Sequence, residues 1–229
     1  MKIIIISDLH SNWDALSSLP EVGDELWVLG DLVNYGPQPS EVVDYVRSHA
    51  AFTVRGNHDH SVGFDTDPRC TPQYAPMAEA TRQLSLKTLS EVQKQYLHDL
   101  PTSIAIEREG IRFYLCHARP TDPLYGYCPA ESDQWENELE KTKCDVLLVG
   151  HTHTPFIRNF GKHVVVNPGS LGQPKTGNPD ACYVIWENGQ FQLKTFSYPV
   201  EKTAWKIDQL DLEQDIKKNL IKALNTGSI

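Results

Sequence analysis

Hydrophobic residues in the first quarter of the chain fall into three runs that are too short for helices. The runs at 2–6, 25–29 and 52–54 are mainly aliphatic and β-branched, which is typical of strands buried on both faces. Asn12 and Ser40 each precede apolar residues at helical spacing, so each is predicted to cap a helix between two strands. This alternation of strand and helix predicts an α/β fold.

The later part of the chain adds strands in pairs and three further helices. Hairpins are predicted where turn residues such as Asn188-Gly189 join two strand-like runs. The predicted strands are 103–106, 111–115, 145–149, 156–160, 163–166, 182–186 and 191–197, and the predicted helices are 77–97, 132–143 and 211–226.

The segment 61–101 interrupts the alternation, because three prolines precede its helical run. We interpret it as an insertion that either overhangs the sheet edge or supports the sheet from the side. We interpret residues 1–229 as one domain that ends in the helix at about 211–226.

Composition narrows the class of protein. Hydrophobic residues at 40% and charged residues at 22% indicate a globular chain with a real core. The net charge of −9 disfavours a protein whose main task is to bind nucleic acid or an anionic membrane. Five widely spaced cysteines without a C-x-x-C pair fit a reducing compartment, and no run approaches the ~18 apolar residues of a membrane span. We therefore expect a cytoplasmic protein, whose oligomeric state the sequence leaves open.

Polar side chains follow each of the first three predicted strands. Asp8 and His10 come after the first strand, Asp31 after the second, and Asn57 and His58 after the third. Any one of them alone is more typical of a turn or a helix cap. Because ligands bind beyond the carboxyl ends of strands in open α/β sheets, their presence on one rim indicates a functional cluster.

Three more imidazoles follow later strands. His117 follows the strand at 111–115, and His151 and His153 follow the strand at 145–149. In extended backbone, the spacing of His151 and His153 places both rings on one side. By itself, that motif is ordinarily explained by two histidines on a surface loop. Because other polar side chains are predicted at the same rim, a metal is the first candidate for what these histidines bind.

In chain order these motifs resemble the calcineurin-like metallophosphoesterase superfamily, from the first strand to about residue 170. The motifs are Asp8-x-His10, Gly30-Asp31, Gly56-Asn57-His58-Asp59, His117 and Gly150-His151-x-His153. The resemblance implies an αββα sandwich of four layers, in which two mixed sheets are flanked by helices and a dinuclear metal site lies at one end. It implies that one metal is bound by Asp8, His10 and His153, that the other is bound by Asn57, His117 and His151, and that Asp31 bridges both.

Oxygen and imidazole ligands without thiolate suit two divalent ions of Mn, Fe, Zn, Ni or Co, among which we favour manganese. Such ions, roughly 3.5–4 Å apart, can share a hydroxide that attacks phosphorus and cleaves a P–O bond. His58 resembles the histidine of the family that binds the phosphoryl group and protonates the leaving oxygen. Asp59 is expected to orient that imidazole and keep it protonated.

The substrate is predicted to be a small phosphate ester or a nucleotide. Protein phosphatases of the superfamily carry Gly-Asp-x-Val-Asp-Arg-Gly, whereas this chain has Tyr35 in place of the arginine, and tyrosine cannot form a bidentate link to phosphate. Arg55, Arg119 and Tyr35 are the candidate substrate-binding residues, and Lys175, Tyr125 and Tyr127 lie in other loops that could face a substrate.

Two other functions are compatible with the same motifs. One is hydrolysis of a dinucleoside polyphosphate such as diadenosine tetraphosphate, which some relatives perform. The other is a non-catalytic scaffold on the same fold, which is disfavoured because every metal-ligand position is retained.

Overall fold

The four isoleucines of the first strand face two different cores in the computed structural model, which describes residues 1–228. Ile3 and Ile5 pack between two sheets, whereas Ile4 and Ile6 pack against helices on an outer face. Alternate side chains of a strand point to opposite faces, so a strand in the middle of a layered fold must be apolar throughout. The prediction that this run is buried on both faces is confirmed.

The strands and helices of residues 1–228 have the following bounds. The strands are β1 (Lys2–Ile6), β2 (Glu25–Val28), β3 (Phe52–Thr53), β4 (Ser103–Arg108), β5 (Ile111–Cys116), β6 (Val146–Leu148), β7 (Phe156–Phe160), β8 (His163–Asn167), β9 (Ala181–Glu187) and β10 (Gln190–Phe196). The helices are α1 (Trp13–Ser17), α2 (Pro39–His49), α3 (Asn57–Gly63), α4 (Ala75–Thr88), α5 (Glu91–Asp99), α6 (Gln134–Thr142), α7 (Val200–Asp208) and α8 (Gln214–Thr226).

The strands form two mixed sheets of five strands each. The first has the order β10-β9-β1-β2-β3, in which β1, β2 and β3 are parallel. The second has the order β4-β5-β6-β8-β7, in which β5, β6 and β8 are parallel. Parallel neighbours end at the same edge of a sheet, so the loops after β1, β2 and β3, and those after β5 and β6, gather at two such edges.

An apolar core lies between the two sheets and holds them together. Trp27, Phe113 and Trp186 meet edge to face, with ring centroids 5.1 and 5.4 Å apart, and each such pair contributes about 0.5–1.5 kcal/mol beyond its buried area. Residues of α1, α2 and α5 cover the outer face of the first sheet, and α6 covers the second. The predicted αββα sandwich is confirmed.

The helical run predicted at 77–97 is two helices, α4 and α5. The chain leaves the helical conformation at Leu89, and Ser90 then caps α5 by accepting a hydrogen bond from the Gln93 amide. The Gln93 side chain reaches back to Ser90, which completes a capping box. This local signal outweighs the continuing apolar spacing.

The sequence interpretation misplaced one cap and missed two helices. The second helix begins at Pro39 after Gln38, because proline is well suited to the first helical position and Ser40 is already inside the helix. α3 was missed because the side chains that it buries include Asn57, His58 and Asp59, which give no apolar pattern. α7 was missed as a separate short helix before α8.

The cysteines and the helix lengths can also be described. All five cysteines are free, as expected for a chain without a disulfide scaffold. Among residues 1–228, no helix combines the length and the apolar character needed to cross a membrane.

Candidate metal centre

The polar loops that follow β1, β2, β3, β5 and β6 converge at one end of the sandwich. Their backbones are linked directly, since the Asp8 amide donates to the Gly30 carbonyl and the Gly150 amide donates to the His117 carbonyl. The backbone at the site is also unusual. Five of the seven proposed ligands have φ between 45° and 65°, a region that residues other than glycine rarely adopt. These five are Asp8, His10, Asp31, His151 and His153. Such strain is typical of functional sites.

Two glycines allow this close approach. A Cβ atom on Gly56 would lie 2.1 Å from Asp31 Oδ1, and one on Gly150 would lie 2.0 Å from Ser7 Oγ. Both positions therefore require glycine for space rather than for a left-handed backbone.

Asp8, His10 and His153 form the first group of potential ligands. His153 Nε2 lies 3.2 Å from Asp8 Oδ1 and 3.1 Å from His10 Nε2, and all three side chains are buried. The second group contains Asp31, His117 and His151, which likewise lie close enough to share one ion.

Asp31 lies between the two groups, and Asn57 joins the second. Asp31 Oδ2 is 3.8 Å from His10 Nε2 and 3.2 Å from His117 Nε2, so one carboxylate oxygen faces both groups. Asn57 Nδ2 donates to the Pro68 carbonyl, which turns Asn57 Oδ1 toward His151 Nδ1 at 3.1 Å. The structure thus brings all seven sequence-predicted ligands together.

Backbone carbonyls orient three of the four imidazoles. The Nδ1 atoms of His10, His117 and His153 lie 3.0, 2.7 and 2.6 Å from carbonyl oxygens of Val33, Leu29 and Gln173. A carbonyl can only accept, so each Nδ1 carries a hydrogen, and in the neutral ring each Nε2 presents its lone pair to the site. Metal-binding histidines ordinarily make such a hydrogen bond through the ring nitrogen that does not bind the metal.

The donor set fits divalent cations. Asp8 Oδ1 is buried and has no hydrogen-bond partner within residues 1–228, which leaves a carboxylate oxygen free. The neighbouring lone pairs of His10 and His153, 3.1 Å apart, would repel each other without a positive charge between them. Two ligands bound at ~2.1 Å to one ion are about 3 Å apart, which matches this spacing.

His58 lies beside the two groups, on the first turn of α3. Its ring is edge-on to His10 at a centroid distance of 5.1 Å, and burial lowers its pKa to about 4. Asn34 Nδ2 donates to His58 Nδ1 over 2.8 Å, which leaves the hydrogen of the neutral ring on Nε2. The Nε2 atom faces the cavity at the site, where Cys70 Sγ is 3.5 Å away.

The structure corrects the expected role of Asp59. Its carboxylate accepts hydrogen bonds from the backbone amides of Asp31, Leu32 and Gly56 at 2.8–2.9 Å, and the ring of His58 is held by Asn34 instead. Asp59 therefore fixes the loop that carries Asp31 rather than the imidazole. Burial and the charge of Asp31 raise the pKa of Asp59 to about 7.

A cavity of about 360 Å³ opens beside the ligands. Its lining includes four tyrosines and two cations beyond the ligand groups, namely Tyr35, Tyr74, Tyr125, Tyr127, Arg69 and Lys175. Arg69, Cys70 and Tyr74 were missed because the loop before α4 shows no pattern in sequence. Residues of that loop line the cavity, while α4 and α5 pack against α3. The interpretation of 61–101 as an insertion stays a prediction.

The two arginines selected from sequence do not line this cavity. Arg55 donates to the His98 carbonyl and lies over the Phe64 ring at 4.8 Å, and Arg119 donates to Gln134. Each guanidinium is therefore engaged by residues outside the cavity lining. Tyr35, in contrast, is buried within the site, and its ring is 4.9 Å from those of His10 and His58.

Comparisons with known proteins agree with this geometry. The family described as the calcineurin-like phosphoesterase superfamily domain matches residues 1–189. A probable metallophosphoesterase of Mycoplasma pneumoniae is 34% identical over 202 residues, covering 86% of this chain and 98% of that protein. Phosphodiesterase YfcE of Escherichia coli is 27% identical over 207 residues, covering 82% and 88%.

A solved structure and one local match add detail. The crystal structure of a metallophosphoesterase from Sphaerobacter thermophilus has a TM-score of 0.82 at 28% identity and covers 99% of both chains. A stretch of 67 residues, 26% of this chain and 25% of the relative, is 42% identical to a symmetrical bis(5'-nucleosyl)-tetraphosphatase of Thioalkalivibrio sulfidiphilus.

Proposed function

Because the chain belongs to the calcineurin-like phosphoesterase superfamily, we propose that it is a dinuclear metal-dependent phosphohydrolase acting on small phosphodiesters or phosphate monoesters. The observation that carries this proposal is the position of Asp31 Oδ2, which faces His10 in one ligand group and His117 in the other. A carboxylate in that position can bind two ions at once.

The proposed ligands are those that the geometry brings together. Asp8, His10 and His153 would hold one ion, Asn57, His117 and His151 the other, and Asp31 both. When bound, two divalent ions supply an activated water and positive charge at the phosphoryl oxygens. We favour manganese, since the donors are oxygen and imidazole nitrogen without thiolate.

The chain itself contributes a hydrogen donor and a shaped cavity. His58 Nε2–H is positioned to donate to a phosphoryl or leaving oxygen, because Asn34 occupies the other ring nitrogen. Tyr35 contributes an apolar ring and a phenol that lies 3.4 Å from Cys70 Sγ. It stands where protein phosphatases of the superfamily have an arginine, which disfavours a phosphoprotein as the substrate. The cavity is of the size that encloses a small ligand.

The test is turnover of bis-p-nitrophenyl phosphate by the purified protein with Mn²⁺. Asp31→Asn and His151→Ala should each lower turnover by about 10²-fold or more, because each removes a proposed ligand. Asp145→Asn is the matched control, since Asp145 pairs with Arg112 at the amino end of β6, far from the cluster.

Elemental analysis completes the test. The wild-type protein should contain two ions per chain, and the ligand variants fewer. Turnover that survives both ligand substitutions would contradict the proposal, and an ion-free, inactive wild-type protein would favour the scaffold.

A second candidate is hydrolysis of a dinucleoside polyphosphate, which the local similarity to a tetraphosphatase favours. Chromatography of the products from a panel of nucleotides, including diadenosine tetraphosphate, distinguishes the two candidates. Symmetrical cleavage would yield ADP alone, whereas attack at the phosphorus next to the ribose would yield AMP and ATP, and an intact tetraphosphate would contradict this candidate.

A further inference from the structure

Two pairs of a cation and an aromatic ring form part of the cavity wall beside the ligand groups. Lys175 Nζ lies 4.5 Å from the ring centroid of Tyr74, and the guanidinium carbon of Arg69 lies 4.5 Å from that of Tyr125. All four residues line the cavity that contains Asp31, His58 and His151. Contact with a ring orients a flexible cation without neutralising its charge.

Neither cation has an acidic partner within residues 1–228. Several other basic side chains form salt bridges, as Lys206 does with Asp14 and Arg82 does with Asp65 and Glu79. Lys175 is partly buried, and burial lowers its pKa even though Asp8 and Asp31 act in the opposite direction. A partly desolvated ammonium without a salt-bridge partner favours binding of an anion in this cavity.

A third element of the wall is an open aromatic surface. The side chain of Tyr127 is 66% exposed, although it lines the cavity and lies edge-on to His151 at 6.1 Å. Tyr74 and Tyr125 already have a cation against the ring, whereas Tyr127 has a face available for a ligand. Stacking of a base on such a ring is sequence-tolerant and contributes substantially to binding.

We infer that Arg69, Lys175 and Tyr127 form a subsite for a nucleoside polyphosphate moiety. Arg69 and Lys175 bind a phosphate beyond the one that reacts, and Tyr127 stacks on the base. Tyr74 and Tyr125 are positioning residues, because they hold the two cations. This inference rests on the proposed function, since it concerns the part of the substrate beside the reacting phosphorus.

The experiment is isothermal titration of the Mn²⁺-loaded protein with two analogues that resist hydrolysis. Adenosine 5'-(α,β-methylene)diphosphate carries the base and two phosphoryl groups, and methylenediphosphonate carries only the latter. Arg69→Met and Lys175→Met, which keep an unbranched apolar stem but remove the charge, should each weaken binding of both analogues by about tenfold.

Tyr127→Leu should separate the two analogues. We expect about a tenfold loss for the adenosine analogue and less than a twofold change for methylenediphosphonate, because only the former has a base to stack. The control is Lys162→Met, which removes a cation in the turn between β7 and β8, away from the cavity. It should leave both affinities unchanged.

Activity on bis-p-nitrophenyl phosphate separates failure of the inference from failure of the proposed function. Absence of turnover in the metal-loaded wild-type protein would overturn the proposed function. An active protein in which Arg69→Met, Lys175→Met and Tyr127→Leu keep wild-type affinity for both analogues would overturn the subsite alone. Equal weakening of both analogues by Tyr127→Leu would overturn base stacking. Unchanged melting temperatures of the variants establish that they are folded.

Discussion

At the scale of single residues, the orientation of His58 depends on a neighbour that is 24 positions away in sequence. Asn34 Nδ2 donates to His58 Nδ1, and Ser85 Oγ donates to Asn34 Oδ1 over 3.3 Å. Both contacts are buried, so water cannot replace them easily. The amide of Asn34 therefore determines which ring nitrogen carries the hydrogen that faces the cavity.

We predict that Asn34→Ala lowers kcat on bis-p-nitrophenyl phosphate by about tenfold or more, with little change in KM. The reason is that the ring of His58 loses its orientation while the proposed metal ligands remain, and a positioned proton donor contributes about 10²–10⁴-fold. Steady-state kinetics with Mn²⁺ provides the measurement. Ser85→Ala is the control, because it removes only the outer contact of Asn34, and it should change kcat by a few-fold at most.

An unchanged kcat in Asn34→Ala would show that His58 is held by its helix alone. A parallel fall in bound metal would instead assign Asn34 to the support of the metal ligands.

At the scale of elements, a buried carboxylate docks α7 against α1. Asp14 lies on α1, and its oxygens are 2.7 Å from Lys206 Nζ, 3.1 Å from Lys202 Nζ and 3.1 Å from Thr203 Oγ1, all on α7. Lys202 is largely exposed, so most of the ion-pair energy comes from Lys206. Burial raises the pKa of Asp14, but the two lysines lower it by more than burial raises it. The net pKa of Asp14 therefore lies below its usual value.

We predict that Asp14→Asn reduces the free energy of unfolding by about 1–2 kcal/mol at pH 7. Removal of one member of a buried pair costs about 3–5 kcal/mol, and the exposure of the lysines reduces that figure. Because the pKa of Asp14 is lower in the folded state, its stabilising effect is complete above about pH 4, the ordinary pKa of aspartate, and declines as pH falls through the folded-state pKa.

Urea unfolding at several pH values between 7 and 3 checks this prediction. The difference between wild type and Asp14→Asn should stay constant down to about pH 4 and narrow below it. Asp215→Asn is the control, since that carboxylate is 89% exposed and forms an exposed ion pair with Lys218. A difference that grows on acidification would contradict the sign of the pKa shift.

At the scale of the whole molecule, the proposed metal centre connects loops from both sheets. Asp8 and Asp31 follow strands of the first sheet, whereas His117, His151 and His153 follow strands of the second. The unfolded chain cannot hold these side chains together, since they are spread over 146 positions, from residue 8 to residue 153. Ion binding should therefore stabilise the fold as a whole.

We predict that saturating Mn²⁺ raises the melting temperature by about 5–10 °C relative to protein in EDTA. A ligand at 100 times its Kd contributes about 2.7 kcal/mol, and a chain of this size shifts by about 2–4 °C per kcal/mol. Differential scanning calorimetry provides the measurement. In His153→Ala the shift should fall by half or more, and a wild-type melting temperature independent of the metal would contradict the prediction.

The sequence by itself predicted the strands of both sheets, an α/β class, and the motifs whose resemblance to a known family implies the αββα sandwich and the proposed metal ligands. It could do so because these features are local: alternation along a strand, turn residues such as Asn188-Gly189, and short motifs at strand ends. The strand predictions needed only adjustments of a residue or two at their ends. Helix α3 was not predicted because the face that it buries is mostly polar.

Only the tertiary structure determined which side chains contact each other and which line the cavity. Asn34 rather than Asp59 holds His58, since the carboxylate of Asp59 is used by three backbone amides. Arg69 and Lys175 reach the cavity, whereas Arg55 and Arg119 bond elsewhere. These outcomes depend on how loops distant in sequence pack together, and no periodic pattern along the chain records that packing.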